Sequence, residues 1–360
     1  MKSDTLRIDG SFGKTFRLTL ILLLFLGGIG EWIARLDVFQ AYLTPPRLGS
    51  RHSQLGYKLA LLDAEVNKNG PVDCIAVGSS TIDVGFHPDA FQMGYQEVAG
   101  NGIRCFNFGI DASSSISVAV LTGILVEDYH PRLLIFGTDA RDYAVVRDDP
   151  DTAVVLDTPW VRYRQGYFSL EGWLIDYSYL YRYRQHLGRL ARFTLQDTLW
   201  SHTTNSFELL SNGFNPIHEV ATYINDPPDS GNDSYEVVYY TRIYSSYQML
   251  DENIAALEEI IDYGRSGTRI MVVEMPVSDG LYYFFGNGEK DYKQFVTTVD
   301  KLTSLHQVPF LQTEPLDMIP DDGWSDYSHL NVAGARIFST WLGQEVGRFE
   351  KLEDDNLFRP

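Results

Sequence analysis

A histidine and an aspartate stand three residues apart near the end of the chain, in Asp326-Tyr327-Ser328-His329. A serine hydroxyl becomes a good nucleophile only when a base takes its proton, and that base needs a third group to orient it. Within one turn of chain the Asp326 carboxylate reaches Nδ1 of His329, which leaves Nε2 facing a serine. The spacing predicts the acid and base of a Ser–His–Asp site. The alternative is an N-cap from Ser328 or Asn331 with a solvated histidine.

The serine is expected where a buried strand ends. Val72–Val77 (VDCIAV) is an apolar run that leads into Gly78-Ser79-Ser80-Thr81, and open parallel sheets bind ligands at this carboxyl edge. A capped strand-to-helix turn is the alternative interpretation of such a glycine-serine sequence. The residues alone leave both Ser79 and Ser80 open as the nucleophile. Position 82 is isoleucine, so the turn does not match the Gly-x-Ser-x-Gly elbow of α/β-hydrolases.

Strands and helices alternate on both sides of a central stretch. Further strands are predicted at Ile103–Phe108, Arg132–Phe136, Thr268–Glu274 and Val308–Leu311. Helices are predicted at Leu55–Asn67, Pro88 to about Val98, Ser114–Asp128, Ser246–Tyr263, Asp291–His306, and Val332 to about Glu350. Because the first three strands each end in glycine and are followed by a polar or helical segment, the pattern indicates an α/β fold with a parallel sheet and right-handed crossovers.

The alternation is interrupted between about residues 143 and 245, which predicts an internal insertion. Leu174–Thr194 is expected to be one aromatic and basic helix, and Asn225–Ser234 is polar with little periodicity. The Tyr/Arg face of that helix has two interpretations: a surface for a membrane or partner, or rings that pack on the sheet.

The order of these blocks resembles the SGNH (GDSL-like) hydrolase superfamily. More narrowly, it resembles the membrane-anchored acyl-transfer and O-acetylation proteins of bacterial cell envelopes. The resemblance covers about residues 70–140 and 245–345, and it implies a three-layer sandwich around a central parallel sheet. Residue by residue, Ser80 matches the family's nucleophile, and Asp326 and His329 match its acid and base.

The resemblance also implies an oxyanion hole formed by backbone N–H groups of Ser80 and of the Gly109–Ala112 turn. Two positions depart from the family pattern. Ala112 takes the place of the second-block glycine, and Asp139 stands where the third-block asparagine donates a side-chain hydrogen bond. An ionised Asp139 cannot donate. Either Arg141 supplies a positive group instead, or the site is less active than is usual in the family.

The N-terminal region predicts a membrane anchor. Leu18–Gly30 is almost wholly apolar, and extension to Phe16–Leu36 makes the run long enough to span a bilayer. The alternatives are a cleaved signal peptide, although no small-x-small site follows, and a buried core helix. Basic residues before the run place the N-terminus in the cytoplasm and the remaining chain on the extracytoplasmic, periplasmic side. The expected organisation is tail and anchor 1–36, connecting segment 37–70, α/β domain 71–350 and C-terminal tail 351–360.

Composition excludes several classes of function. The net charge of −19 repels phosphate backbones, so nucleic acid is not an expected partner. The histidines and cysteines form no metal-binding motif, and the chemistry needs no cofactor or metal.

Cys74 and Cys105 fall in neighbouring predicted strands, where small core thiols are favoured over a bridge.

The predicted function is serine-dependent acyl-ester chemistry, in which an acyl-enzyme passes its group to water or to a glycan hydroxyl. The expected partners are the membrane, an acyl donor, a glycan acceptor and, by resemblance only, a multipass acyl exporter. The alternative is a catalytically weakened scaffold or glycan-binding protein of an envelope complex. Asp139 in place of the family's asparagine favours this alternative, whereas Ser80, His329 and Asp326 together favour the enzyme.

Overall fold

The computed structural model describes residues 10–36, 53–147, 149–184, 209–228, 234–313 and 318–357. The strands are β1 (Cys74–Gly78), β2 (Cys105–Gly109), β3 (Leu133–Thr138), β4 (Arg269–Glu274) and β5 (Phe310–Leu311). The α-helices in the described residues are α1 (Gly10–Ala34), α2 (Ser53–Asn69), α3 (Ser80–Gly85), α4 (Pro88–Ala99), α5 (Ser115–Tyr129), α6 (Arg141–Ala144), α7 (Pro150–Leu156), α8 (Pro159–Arg164), α9 (Leu170–Tyr177), α10 (Tyr179–Arg182), α11 (Tyr235–Tyr244), α12 (Asp251–Asp262), α13 (Glu289–Leu305) and α14 (Val332–Leu357). Short 3-10 turns occur at Tyr263–Ser266, Asp279–Phe284 and Asp321–Gly323.

The five strands form one parallel sheet in the order β2-β1-β3-β4-β5. The first three strands are apolar runs buried along their whole length, as expected for a sheet covered on both faces. Helices α2, α5, α12 and α13 pack on one face, and α4 and α14 pack on the other. The predicted α/β class, with a central parallel sheet between helical layers, is confirmed.

The order of the strands brings the site together. Because β1 lies between β2 and β3, the segments that follow Gly78, Gly109 and Thr138 all leave the same edge of the sheet. Gly109 is required by close approach: a Cβ at this position would lie 2.3 Å from the backbone nitrogen of Asp83 in α3. The glycine therefore lets α3 pack directly against the end of β2.

The insertion differs from the prediction in two places. The single helix expected at Leu174–Thr194 is divided, because Ser178 ends α9 and caps α10 by accepting a hydrogen bond from the Tyr181 N–H. Residues 185–194 of that prediction, and 229–233 of the polar stretch, lie outside the described residues. The helix predicted to begin at Ser246 begins at Asp251 instead, after a separate helix, α11.

The N-terminal helix α1 extends from the domain with its apolar side chains exposed, Leu20 to Leu26 among them. Within the described part of the chain, Gly13–Ala34 is the one helical stretch long and apolar enough to cross a membrane, and none of its apolar window is buried. A buried core helix is excluded by this exposure. The connecting segment is described only from residue 53, where α2 begins. At the other end, α14 continues to Leu357, beyond the predicted end at Glu350.

The two cysteines correct the sequence-based expectation. Cys74 and Cys105 are joined in a disulfide, whereas thiols were favoured from the sequence. The physical reason is register, since the two residues lie directly opposite each other on the paired strands β1 and β2. Apolar runs predict neighbouring strands but do not predict which residues face each other.

Candidate active site

Ser80, His329 and Asp326 form a continuous chain of hydrogen bonds. Ser80 Oγ lies 2.7 Å from His329 Nε2, and His329 Nδ1 lies 2.6 Å from Asp326 Oδ2. Ser80 begins α3 directly after β1, while the other two residues precede α14. The structure thus brings together residues 249 positions apart in the sequence. It also separates the two serines, because the Ser79 side chain is buried and lies 3.2 Å from the Thr81 hydroxyl instead.

The Asp326 carboxylate is held by its own turn. Its Oδ1 accepts hydrogen bonds from the backbone N–H groups of Ser328 at 2.8 Å and His329 at 2.9 Å. The Tyr240 hydroxyl, from α11 of the insertion, donates to the same oxygen at 3.1 Å. Burial raises the pKa of Asp326, but the charge of His329 and these hydrogen bonds outweigh it and keep the pKa below its usual value. The carboxylate therefore remains ionised and oriented toward the imidazole.

The histidine is strongly basic in this environment. Burial lowers the pKa of His329, but attraction and hydrogen bonding from Asp326, with smaller contributions from Asp111 and Asp139, raise it to about 9. At neutral pH the imidazolium predominates before substrate binds. The neutral form, which a general base requires, increases as the pH rises toward 9.

Two backbone donors lie at the ends of β1 and β2. The N–H groups of Ser80 and Ala112 have no acceptor among the described residues. Ala112 has a φ of 56°, a left-handed conformation that favours glycine. The Gly109 N–H, in contrast, donates to the Asn107 side chain at 2.9 Å and so is occupied.

Arg141, the first residue of α6, packs against the loop that carries Ala112. Its guanidinium donates to the carbonyl oxygens of Ser113 at 2.8 Å and Ala112 at 3.0 Å, and its Nε donates to the Tyr239 hydroxyl. All three nitrogens of the guanidinium are therefore engaged within the protein. The side chain holds the loop in position and is not arranged to supply the positive group that the sequence predicted for the site.

Asp139 is buried beside the site. Its Oδ1 accepts from the backbone N–H groups of Arg141 at 2.8 Å and Asp142 at 3.3 Å, while its Oδ2 accepts no hydrogen bond from the described residues. Burial raises the pKa of Asp139, whereas Arg141 and His329 lower it in part. The neighbouring Asp142 is also buried, and burial with repulsion from Asp139 raises its pKa well above the usual value. The Asp139 carboxyl group is thus close enough to His329 for their charges to interact.

A second polar cluster lies behind the nucleophile and was not found from the sequence. Lys58 of α2 forms a fully buried ion pair with Asp83 of α3 at 2.5 Å. Gln54 donates to the other Asp83 oxygen at 2.7 Å, and its own oxygen accepts from the Asp111 N–H at 2.7 Å. Helix α2 therefore connects the nucleophile turn to the loop before Ala112. The only sequence signal was two polar residues, Gln54 and Lys58, spaced four apart on an otherwise apolar helix face.

No known family model matches the sequence, and no curated protein matches it. Among solved structures, the chain is similar to a lipase/acylhydrolase from Enterococcus faecalis, with 9% sequence identity, a TM-score of 0.34, and coverage of 77% of this chain and 96% of that one. It is also similar to the inhibitor-bound form of an aryl esterase from M. smegmatis, with 11% identity, a TM-score of 0.36, and coverage of 76% and 97%. Similarities this distant assign neither a family nor an activity to the chain.

In the described residues, no group of three or more His, Cys, Asp or Glu side chains is placed to hold a metal ion. The arrangement that the structure does contain is a nucleophile, a base, an acid that orients the base, and two unoccupied backbone donors. This set of groups is suited to acyl transfer through a covalent intermediate.

Proposed function

We propose that this chain is a serine-dependent acyl-ester enzyme of the SGNH type. The observation that carries the proposal is the hydrogen-bonded chain from Ser80 Oγ through His329 to Asp326, at 2.7 Å and 2.6 Å. A histidine with a purely structural role can bond to a carboxylate through one ring nitrogen without a serine hydroxyl on the other. A triad needs both contacts at once.

In the proposed reaction, Ser80 Oγ attacks the carbonyl carbon of an ester as His329 Nε2 takes the hydroxyl proton. The N–H groups of Ser80 and Ala112 donate to the resulting oxyanion, and Asp326 stabilises the imidazolium. Collapse of the tetrahedral intermediate breaks the ester C–O bond, and His329 gives its proton to the leaving alcohol. Water or an acceptor hydroxyl then attacks the acyl-enzyme by the same steps in reverse and releases Ser80.

We further propose that the enzyme is anchored in a membrane by α1, with its domain on the extracytoplasmic side. The exposed apolar surface of α1 supports the anchor, and basic residues before it support the orientation. The disulfide between Cys74 and Cys105 is consistent with an oxidising compartment. Such an anchor keeps the site near lipid-linked or exported acyl donors, and the acceptor is proposed to be an envelope glycan. A multipass acyl exporter remains a proposed partner on the strength of the sequence resemblance.

Turnover of a simple aryl acetate, with and without a glycan acceptor, tests this function. The wild-type chain should hydrolyse the ester slowly, the acceptor should accelerate release of the aryl alcohol, and the acetyl group should appear on the glycan. Ser80→Ala should abolish both reactions. Fast hydrolysis that is indifferent to any acceptor would identify a plain esterase instead.

The alternative function, a catalytically weakened scaffold or glycan-binding protein, is favoured by one observation. The Asp139 carboxyl group is buried and its charge interacts with that of His329, so an ionised Asp139 would repel an oxyanion formed at the site. A folded protein that binds the glycan but turns over no ester at any pH up to 9 would support this alternative.

A further inference from the structure

The end of the membrane helix is bonded to the insertion. The Glu31 carboxylate of α1 accepts hydrogen bonds from the Ser178 hydroxyl at 2.7 Å and from the N–H groups of Tyr179 and Leu180 at 2.9 Å and 3.1 Å. These donors are the N-terminal groups of α10, which are not paired within that short helix. The last turn of α1 is therefore attached to the junction between α9 and α10.

A continuous exposed surface of large apolar side chains begins at this junction. Helix α9 buries Gly172 and Ile175 and exposes the opposite face. The surface, called the aromatic face below, consists of Tyr167, Phe168, Leu170, Trp173 and Tyr177, all of which are exposed. It is continuous because Trp173 and Tyr177 have ring centroids 5.9 Å apart, and Tyr163 contacts the rings of both Tyr177 and Phe168. Exposed apolar surfaces of this kind mark interaction sites.

The aromatic face is directly linked to α1. Arg35, just past the end of α1, donates to the Tyr177 carbonyl oxygen at 3.0 Å. Its guanidinium also lies 4.8 Å from the centre of the Tyr179 ring. Trp32 is exposed on the same last turn of α1. Tryptophan and arginine at the end of a spanning helix mark the level of the lipid headgroups. The aromatic face therefore lies beside the end of α1 at that level.

The segment that carries the aromatic face is less acidic than the chain as a whole, and two of its arginines, Arg164 and Arg184, are paired with carboxylates. Residues 160–184 contain four arginines and two acidic residues, whereas the chain carries a net charge of −19. Arg162 is exposed, lies 5.8 Å from the centre of the Tyr167 ring, and has no carboxylate partner among the described residues. Aromatic rings combined with unpaired arginine suit the boundary between acyl chains and headgroup phosphates.

We infer that the aromatic face lies in the headgroup region of the bilayer that α1 crosses, which makes the insertion a second membrane contact. The inference rests on the proposed anchor. It follows from the bonds between α1 and the α9–α10 junction, since a face attached to the last turn of a spanning helix cannot lie far from the membrane surface. Two contacts fix the orientation of the domain and hence the height of Ser80 above the bilayer.

A depth measurement on the full-length chain in vesicles tests this inference. The natural cysteines are joined in a disulfide, so Phe168→Cys introduces one free thiol for a fluorescent label. Leu305→Cys is the matched control, because the two side chains are apolar and equally exposed at 77% and 76%, and Leu305 ends α13, remote in sequence from the insertion. Vesicles of phosphatidylcholine and phosphatidylglycerol carry a nitroxide quencher at the headgroup or along the acyl chain.

The fraction of fluorescence quenched by the lipid nitroxides should be about twofold or more larger for the label at position 168 than for the label at position 305. The nitroxide at the headgroup should quench the label at position 168 more strongly than the nitroxide along the acyl chain. Equal quenching at both positions in protein that floats with the vesicles would overturn the inference and leave the anchor intact. It would point to a protein occupant of the aromatic face instead. Protein that does not float with vesicles would overturn the anchor itself, and the inference with it.

Discussion

The Tyr240 hydroxyl donates to Asp326 Oδ1 at 3.1 Å, so a residue of the insertion supports the acid of the proposed triad. Tyr240 also lies 2.8 Å from the Ser328 hydroxyl, and its ring packs against Phe284 and Tyr327. The insertion thus contributes side chains to the proposed active site. It completes the surroundings of Asp326 and, through Tyr239, those of Arg141.

Replacement of Tyr240 should therefore lower activity. Tyr240→Phe keeps the ring but removes the donor to a charged carboxylate, which is worth about 1.5 kcal/mol or more, and kcat/KM for an aryl ester should fall about tenfold. Tyr247→Phe is the matched control, because its buried hydroxyl has no partner in the described structure. Equal effects of the two substitutions on kcat/KM would contradict a role for the Tyr240 hydroxyl.

The activity should increase with pH. His329 has a pKa of about 9, so the neutral base is scarce at pH 6 and abundant near pH 9. A pH profile of kcat/KM should show this rise, whereas a plateau already reached at pH 7 would contradict it.

The raised pKa of His329 should make the folded state less stable as the pH increases, which is opposite in sign to its effect on activity. The folded pKa exceeds the unfolded value of about 6.5, so the stabilisation is complete below that pH and is lost as the pH rises through about 9.

Substitution of Asp139 should improve the site. Asp139→Asn replaces a carboxyl group by an amide donor of the same shape, and a well-placed oxyanion donor is worth about 100-fold or more in kcat. We expect kcat to rise about tenfold or more and the pH profile to move toward lower pH, since Asp139 contributes to the raised pKa of His329. Asp139→Ala, which removes the charge without adding a donor, should move the profile but raise kcat less. A fall in kcat for Asp139→Asn would show that the carboxyl group itself is needed.

Loss of one partner of the buried Lys58–Asp83 ion pair should lower the free energy of unfolding strongly. Lys58→Met leaves Asp83 buried without its cation, and breaking such a pair costs about 3–5 kcal/mol of unfolding free energy. Chemical denaturation should show this loss. The double variant Lys58→Met with Asp83→Asn removes both charges but keeps an oxygen that accepts from Gln54, and should recover much of the loss. A single variant as stable as the wild type would show that the pair contributes little.

The sequence predicted the α/β sheet because apolar strands ending in glycine alternate with amphipathic helices, and that regularity depends only on local residues. The proximity of Ser80 to His329 was also predictable, since Ser80 follows a strand, His329 precedes the last helix, and open parallel sheets gather such segments at their carboxyl edge. The disulfide was not, because it depends on strand register. Tyr240 and Lys58 were missed since each lies on an element whose position relative to the site no local pattern specifies.

The most direct test of the central claim is covalent labelling of the full-length protein with a fluorophosphonate probe at pH 8–9, followed by mass spectrometry of the labelled peptide. We expect one adduct, on Ser80, that is retained in Ser79→Ala and lost in Ser80→Ala and His329→Ala. Ser79 is the matched control because it is the adjacent serine in the same turn, with its hydroxyl turned toward Thr81. A folded protein that takes up no probe, or an adduct that persists in Ser80→Ala, would contradict the account.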